Sequence, residues 1–156
     1  MLLIHASNDT KVTEILNSYE IKGCDSYFDG LFCEGGTVSN RTGEFKTVFE
    51  VADNTIADNG DHDLDYDKTM AFLSTEYSDL SEDELDTLYN YTAGDEECDE
   101  DDLPLLESNE TWEMAFIYQN IRGMIAKDQK FNAIAMSDEF GTSYFIPVDS
   151  EYKVVR

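Results

Sequence analysis

The chain has 156 residues, 41% of them apolar and 12% aromatic, which is enough for a real core in one ordinary domain spanning residues 1–156. Its formal charge of −25 excludes nucleic acid and anionic membrane as direct partners, because both need Lys and Arg that the chain lacks, and directs attention to basic protein surfaces. Three cysteines without metal-ligand spacing (Cys24, Cys33, Cys98), no apolar run near the ~20 residues of a membrane span and no secretion signal lead us to expect a soluble, cytoplasmic, metal-free monomer with reduced thiols.

The first element is a short apolar strand, Leu2-Leu3-Ile4-His5, ending in the polar turn Ala6-Ser7-Asn8-Asp9. Val12, Ile15, Leu16 and Tyr19 follow at i, i+3, i+4 and i+7, a spacing that predicts an amphipathic helix capped by Asp9 or Thr10. Gly23 and Gly30 punctuate an aromatic loop containing Tyr27-Phe28-Asp29-Gly30-Leu31-Phe32, and Gly35-Gly36 through Gly43 read as a further turn or loop. Phe45, Thr47, Phe49 and Val51 then alternate with Lys46, Val48 and Glu50, the period of a half-buried strand.

Residues 53–110 hold 21 of the 35 acidic groups against the single base Lys68, so the charge belongs to a middle segment. Ser81-Glu82-Asp83-Glu84 fits a capping box ahead of Leu85, Leu88 and Tyr89, whereas the run Asp95-Glu96-Glu97-Cys98-Asp99-Glu100-Asp101-Asp102 reads as solvated loop. Asp61-His62-Asp63-Leu64-Asp65 opens like a calcium loop, but Tyr66 and Phe72 stand where such a loop wants Gly and Glu, and a solvated acidic loop is the better reading. From Ser108 or Asn109 a pattern through Trp112, Ala115, Phe116, Gln119, Gly123 and Met124 predicts a helix of about 18 residues ending near Lys127. Residues 131–136, 142–148 and 152–155 are strand-like, the first two joined by a tight turn containing Gly141, and the three make the C-terminus a small antiparallel sheet unit. The order β-α-β, acidic helices, long helix, β-β-β is an α+β domain.

With two histidines and no serine or cysteine in a nucleophile elbow, hydrolase triads are unsupported, and the glycines form neither GxGxxG nor a phosphate-binding loop. A lone histidine at a strand end, such as His5, is by default a hydrogen-bonded core residue. Asp138-Glu139 before Gly141 is by default a turn.

Together these residues resemble a known arrangement. Leu3-Ile4-His5-Ala6-Ser7 is similar to the first-strand L-[FY]-H-G-[ST] of ADP-ribosyltransferases of the His-Tyr-acid type. Phe28-Asp29-Gly30-Leu31-Phe32 resembles their G-G-L-F turn, and Val48-Phe49-Glu50-Val51-Ala52 resembles their V-Y-x-V strand. Phe131-Asn132-Ala133-Ile134-Ala135-Met136, continuing into Asp138-Glu139-Phe140-Gly141-Thr142-Ser143-Tyr144, looks like their last motif, DE-x-GT-x-Y. In size and layout the chain is most similar to the phage anti-CRISPR members that modify the type I-F surveillance complex.

The resemblance implies a small split β-sheet with flanking helices and an acidic helical insertion at about 53–110. It also implies NAD⁺ as cofactor and mono-ADP-ribosylation of a basic target, a CRISPR-Cas effector subunit. Asp138 or its neighbour Glu139 would be the carboxylate that stabilises the oxocarbenium-like transition state. His5 would bind the adenosine ribose, the Ala6 backbone the nicotinamide amide and Ser7 a ribose, with Gly30 in the turn and Phe28 or Phe32 stacked on nicotinamide. Outside any motif, Arg122 could meet the pyrophosphate or form a helix-surface ion pair. The acidic segment alone supports a different class, a DNA mimic that blocks a DNA-binding protein stoichiometrically without catalysis.

Overall fold

The computed structural model describes residues 1–15, 19–20, 27–58, 63–97, 111–138 and 141–156. In chain order the strands and helices are β1 (Leu2–Ser7), β2 (Tyr19–Glu20), β3 (Tyr27–Phe28), β4 (Gly30–Gly35), β5 (Phe45–Glu50), β6 (Ile56–Ala57), α1 (Tyr66–Glu76), α2 (Glu82–Tyr91), α3 (Thr111–Asp128), β7 (Ala133–Asp138), β8 (Gly141–Pro147) and β9 (Lys153–Val154). Seven strands form one sheet in the order β6-β7-β8-β4-β1-β5-β9, antiparallel except for β6 beside β7, and β2-β3 forms a separate ribbon. The α+β class expected from the sequence holds.

The sheet has one weak seam. β1 is in register with β5 along all six residues, from Leu2↔Glu50 to Ser7↔Phe45, but with β4 at only two positions, Leu3↔Gly35 and Ile4↔Glu34. The split anticipated in the sheet is therefore a parting of β1 from β4 beyond Ile4 rather than two separate sheets.

Each face of the sheet has its own core. On one face α3 buries Ile134, Met136 and Phe145 together with Leu73 of α1 and Leu88 of α2. On the other, Leu3, Leu31, Cys33, Phe49 and Ile146 pack with Ile15 and Val148. Strand alternation makes this two-sidedness possible, since successive residues of β4 and β8 serve opposite cores.

α2 begins at Ser81, whose hydroxyl accepts from the Glu84 amide while the Glu84 carboxylate accepts from the Ser81 amide, the reciprocal cap read from the sequence. α3 runs 18 residues and ends with Lys127 in its last turn. α1 starts at Asp65, whose carboxylate accepts from the Lys68 amide, so one aspartate of the calcium-like run is a helix cap.

Three expectations are corrected. The helix expected around Val12, Ile15, Leu16 and Tyr19 does not form among the described residues, Leu16 lying outside them: Ile15 is buried in a non-helical segment and donates its N–H to the Tyr152 hydroxyl at 2.9 Å, while Tyr19 pairs with Phe28 in the β2-β3 ribbon. A distant hydroxyl satisfies a backbone group that a short helix would otherwise have to satisfy locally. Second, the Gly-Leu-Phe stretch read as loop is the start of β4, a central strand, because β8 supplies its ladder partners Pro147, Ile146 and Phe145 from far along the chain. Third, the C-terminal strands are not one unit, since β9 pairs with β5 at the opposite edge of the sheet.

Candidate active site

Asp138 closes β7 opposite Gly141, whose φ of +109° is a left-handed conformation that glycine accepts without strain. Alternation along the β7-β8 ladder puts Asp138, Gly141, Ser143 and Met136 on one face. The Asp138 side chain, 17% exposed, accepts a hydrogen bond from the buried Ser143 hydroxyl and one from Arg41 Nη2 at 2.6 Å. The same Nη2 donates to Ser143 Oγ at 2.5 Å. Carboxylate, hydroxyl and guanidinium thus form a closed triangle. Glu139, the alternative carboxylate, lies outside the described residues.

Arg41 reaches this point from the loop between β4 and β5, which Glu34 organises. The Glu34 carboxylate accepts from Ser39 Oγ at 2.6 Å, from the Asn40 amide at 2.9 Å and from the Arg41 amide at 3.2 Å, and one of its oxygens lies 3.5 Å from Arg41 Nε. Burial pushes the Glu34 pKa up, but these donors and the Arg41 charge outweigh it and hold the carboxyl below its usual range. Glu34 is in register with Ser143 across β4-β8, so the loop is anchored directly beside the triangle. Glu34, Gly35, Asn40, Arg41, Thr142 and Ser143 line a cleft of about 240 Å³ there.

His5 stands on the other bank of the seam. Its Nδ1 lies 2.7 Å from the Phe32 carbonyl, so a neutral ring donates across the gap that opens between β1 and β4. Burial pushes its pKa down, the Phe32 carbonyl pushes it back up and the Arg41 charge lowers it again, leaving it lowered. Asp138 and β1 are separated by β8 and β4, three interstrand spacings or about 14 Å. The hydrogen bond of His5 goes to Phe32, and His5 is not brought onto the carboxylate. Ala6 and Ser7 line the same bank, where a Cβ on Gly43 would stand 2.8 Å from the Ala6 Cβ and 2.9 Å from the Ser7 nitrogen. That glycine leaves room for the alanine standing where the family motif has Gly.

Phe28 and Phe32 meet edge to face at 4.7 Å, and Phe32 contacts Phe145 at 4.9 Å, so both partly buried rings are shared with the helical core. Gly30 has a packing explanation: a Cβ there would come within 2.5 Å of the Ile146 carbonyl and of the Phe145 ring.

Arg122 needs correction, because neither reading of it fits. The side chain is 1% exposed, with Nε and Nη2 donating to the Ala135 carbonyl at 3.2 and 3.1 Å and Nη1 donating to the carbonyls of Thr92, at 3.1 Å, and Ala93. It ties α3 to β7 and to the end of α2, away from solvent and from the Asp138 cleft. Among the arginines, the one at the carboxylate is Arg41. It sits in the stretch read as a turn or loop, and its scarcity among three arginines was the only local signal.

Beyond geometry, the model of the anti-CRISPR type I-F ADP-ribosyltransferase AcrIF11 family matches residues 1–153. The chain belongs to this family. It is accordingly an ADP-ribosyltransferase directed against type I-F CRISPR-Cas, which sets aside the non-catalytic DNA mimic. A solved structure described as an anti-CRISPR protein superposes with a TM-score of 0.56 at 19% identity, covering 99% of this chain and 95% of that one, so the AcrIF11-family chain shares its fold. No curated relative matches the sequence. Among the described residues, no helix is long and apolar enough to cross a membrane.

Proposed function

We propose that NAD⁺ donates the ADP-ribose, that Asp138 is the essential carboxylate, and that the acceptor is a basic protein subunit of the type I-F machinery in the host cytoplasm. In this reaction the glycosidic C–N bond breaks, nicotinamide leaves with the bonding electron pair, and the acceptor supplies the nucleophile and loses a proton. The ribose carbon carries developing positive charge as the bond breaks, so a fixed carboxylate beside it contributes more in the transition state than in the ground state.

One observation carries this reading: in a chain of an ADP-ribosyltransferase family, Asp138 is held by two donors that themselves line a cleft, Ser143 on β8 and Arg41 on the loop between β4 and β5. The His5-Phe32 seam supports a role for His5, Ala6 and Ser7 in cradling the ribose and amide of the dinucleotide, with Phe28 or Phe32 as aromatic wall. The match over 1–153 supports one catalytic unit, and the exposed acids of α1 and α2 support docking to a basic surface; the enzyme acts as a monomer in this reading.

The test measures nicotinamide release and transfer of labelled ADP-ribose to purified type I-F effector complex. Asp138→Asn should lower turnover about 100-fold or more, with binding of NAD⁺ retained by calorimetry. Turnover retained in Asp138→Asn and lost in Glu139→Gln would move the role to Glu139; loss in neither would sink the assignment.

A further inference from the structure

We infer that Arg41 is a positioning residue of the reaction: its guanidinium fixes the Asp138 carboxylate and the Ser143 hydroxyl in one geometry, and Glu34 fixes Arg41. The inference rests on the reading of Asp138 given above. The contacts are long-range, 97 residues from Arg41 to Asp138 and 102 to Ser143, so nothing local in the chain requires them. Glu34 holds the Arg41 backbone through its amide and faces the guanidinium at Nε, while Nη2 at the far end of the planar group faces Asp138 and Ser143.

A planar group whose backbone amide is bonded to a carboxylate of β4, and whose Nε faces that carboxylate at 3.5 Å, couples the position of that strand to the last residue of β7, across β8. Without it, Asp138 at the end of β7 loses one of the two donors, Arg41 and Ser143, that fix its carboxylate. The Arg41 side chain is 29% exposed and lines the cleft, so it lies at the cleft surface rather than in the core, where its role would be packing alone. Lysine cannot replace it: an ammonium on a flexible stem is a point donor and cannot present a rigid fork to Glu34 on one side and Asp138 on the other.

The experiment compares wild type, Arg41→Ala, Arg41→Lys and Asp138→Asn, using NAD⁺ and the type I-F complex as substrates and a melting curve for each protein. Arg41→Ala should lower kcat about 100-fold, the usual cost of misplacing a catalytic group by an ångström, and leave KM for NAD⁺ nearly unchanged. Arg41→Lys should recover only a small part of kcat, and added guanidinium ion should restore turnover to Arg41→Ala but not to Asp138→Asn. A purely architectural arginine would not respond to the free ion in this selective way. Should Arg41→Ala fail to fold, Arg41→Lys and Arg41→Gln carry the same comparison. Wild-type kcat in the Arg41 variants, or a loss confined to KM, overturns the inference. If Asp138→Asn is dead while the Arg41 variants are normal, only the Arg41 inference fails; if Asp138→Asn is fully active, the reading beneath it fails too.

Discussion

His5 is pulled two ways by its surroundings, since burial and the nearby Arg41 disfavour its protonated form while the Phe32 carbonyl favours it, and the disfavouring effects win. A depressed basic pKa means that the unfolded chain binds the proton more readily than the folded one. The contribution of His5 to stability is therefore fully present above its ordinary value of 6.5 and is lost as the pH falls from there through the lowered native value. His5→Asn keeps an N–H for the Phe32 carbonyl and removes the titration, so its melting temperature should fall less on acidification below pH 6.5 than that of the wild type. Equal slopes would show that the proton is not being resisted at this residue. His5 and Asp138 could be proposed from the sequence because each sits in a short contiguous motif. Arg41 was not, because its partners are separated from it by most of the chain and only the fold supplies them. Arg122 misled for the complementary reason: a charged residue on a helix is ordinarily exposed, and here the backbone carbonyls of Ala135, Thr92, Ala93 and Asp58 draw it inside.

At the level of elements, the capping box of α2, the length of α3 and strands β1, β5, β7 and β8 followed from local pattern. What local pattern missed was decided by tertiary partners. The spacing of Val12 and Ile15 is satisfied by burial against the sheet without a helix, and Gly30-Leu31-Phe32 became a central strand because β8 lies alongside it. The price of that placement is steric: the Phe145 ring occupies a slot that a Cβ on Gly30 would invade at 2.5 Å and a Cβ on Gly123 of α3 at 2.2 Å. Gly30→Ala should destabilise the protein by about 1–3 kcal/mol in urea unfolding, the usual range for overpacking a core. Gly123→Ala gains up to about 1 kcal/mol of helix propensity and should still be destabilising, because a fully buried ring has nowhere to move. A neutral or stabilising Gly123→Ala would mean that α3 can lift off the sheet at little cost.

For the whole molecule, the acidic surface and the proposed catalytic residues occupy different regions. The acids of α1 and α2, among them Asp67, Glu76, Glu82, Asp83, Glu84 and Asp86, are exposed on the helical layer, while Asp138 and Arg41 sit at strand ends and a loop. If those acids steer the enzyme to a basic target, raising ionic strength from about 0.1 M to about 1 M, which shortens the Debye length from about 10 Å to about 3 Å, should slow transfer to the protein acceptor strongly. Hydrolysis of NAD⁺ alone should change much less, since its contacts are made inside the site. Stopped-flow association with the type I-F complex, set beside nicotinamide release without it, separates the two; parallel salt dependence would place the acidic surface outside target capture.

Phe145 and Ser143 occupy consecutive same-face positions on β8, one seated between two bare glycines and the other beside Asp138. The register of that strand is consequently set from the interior outward: the ring has one seat, and wherever it sits the hydroxyl two residues away must follow. Sequence drift can therefore recolour the acidic surface with little effect on chemistry, whereas a single methyl group added deep under α3 would be felt as a displaced carboxylate at the rim.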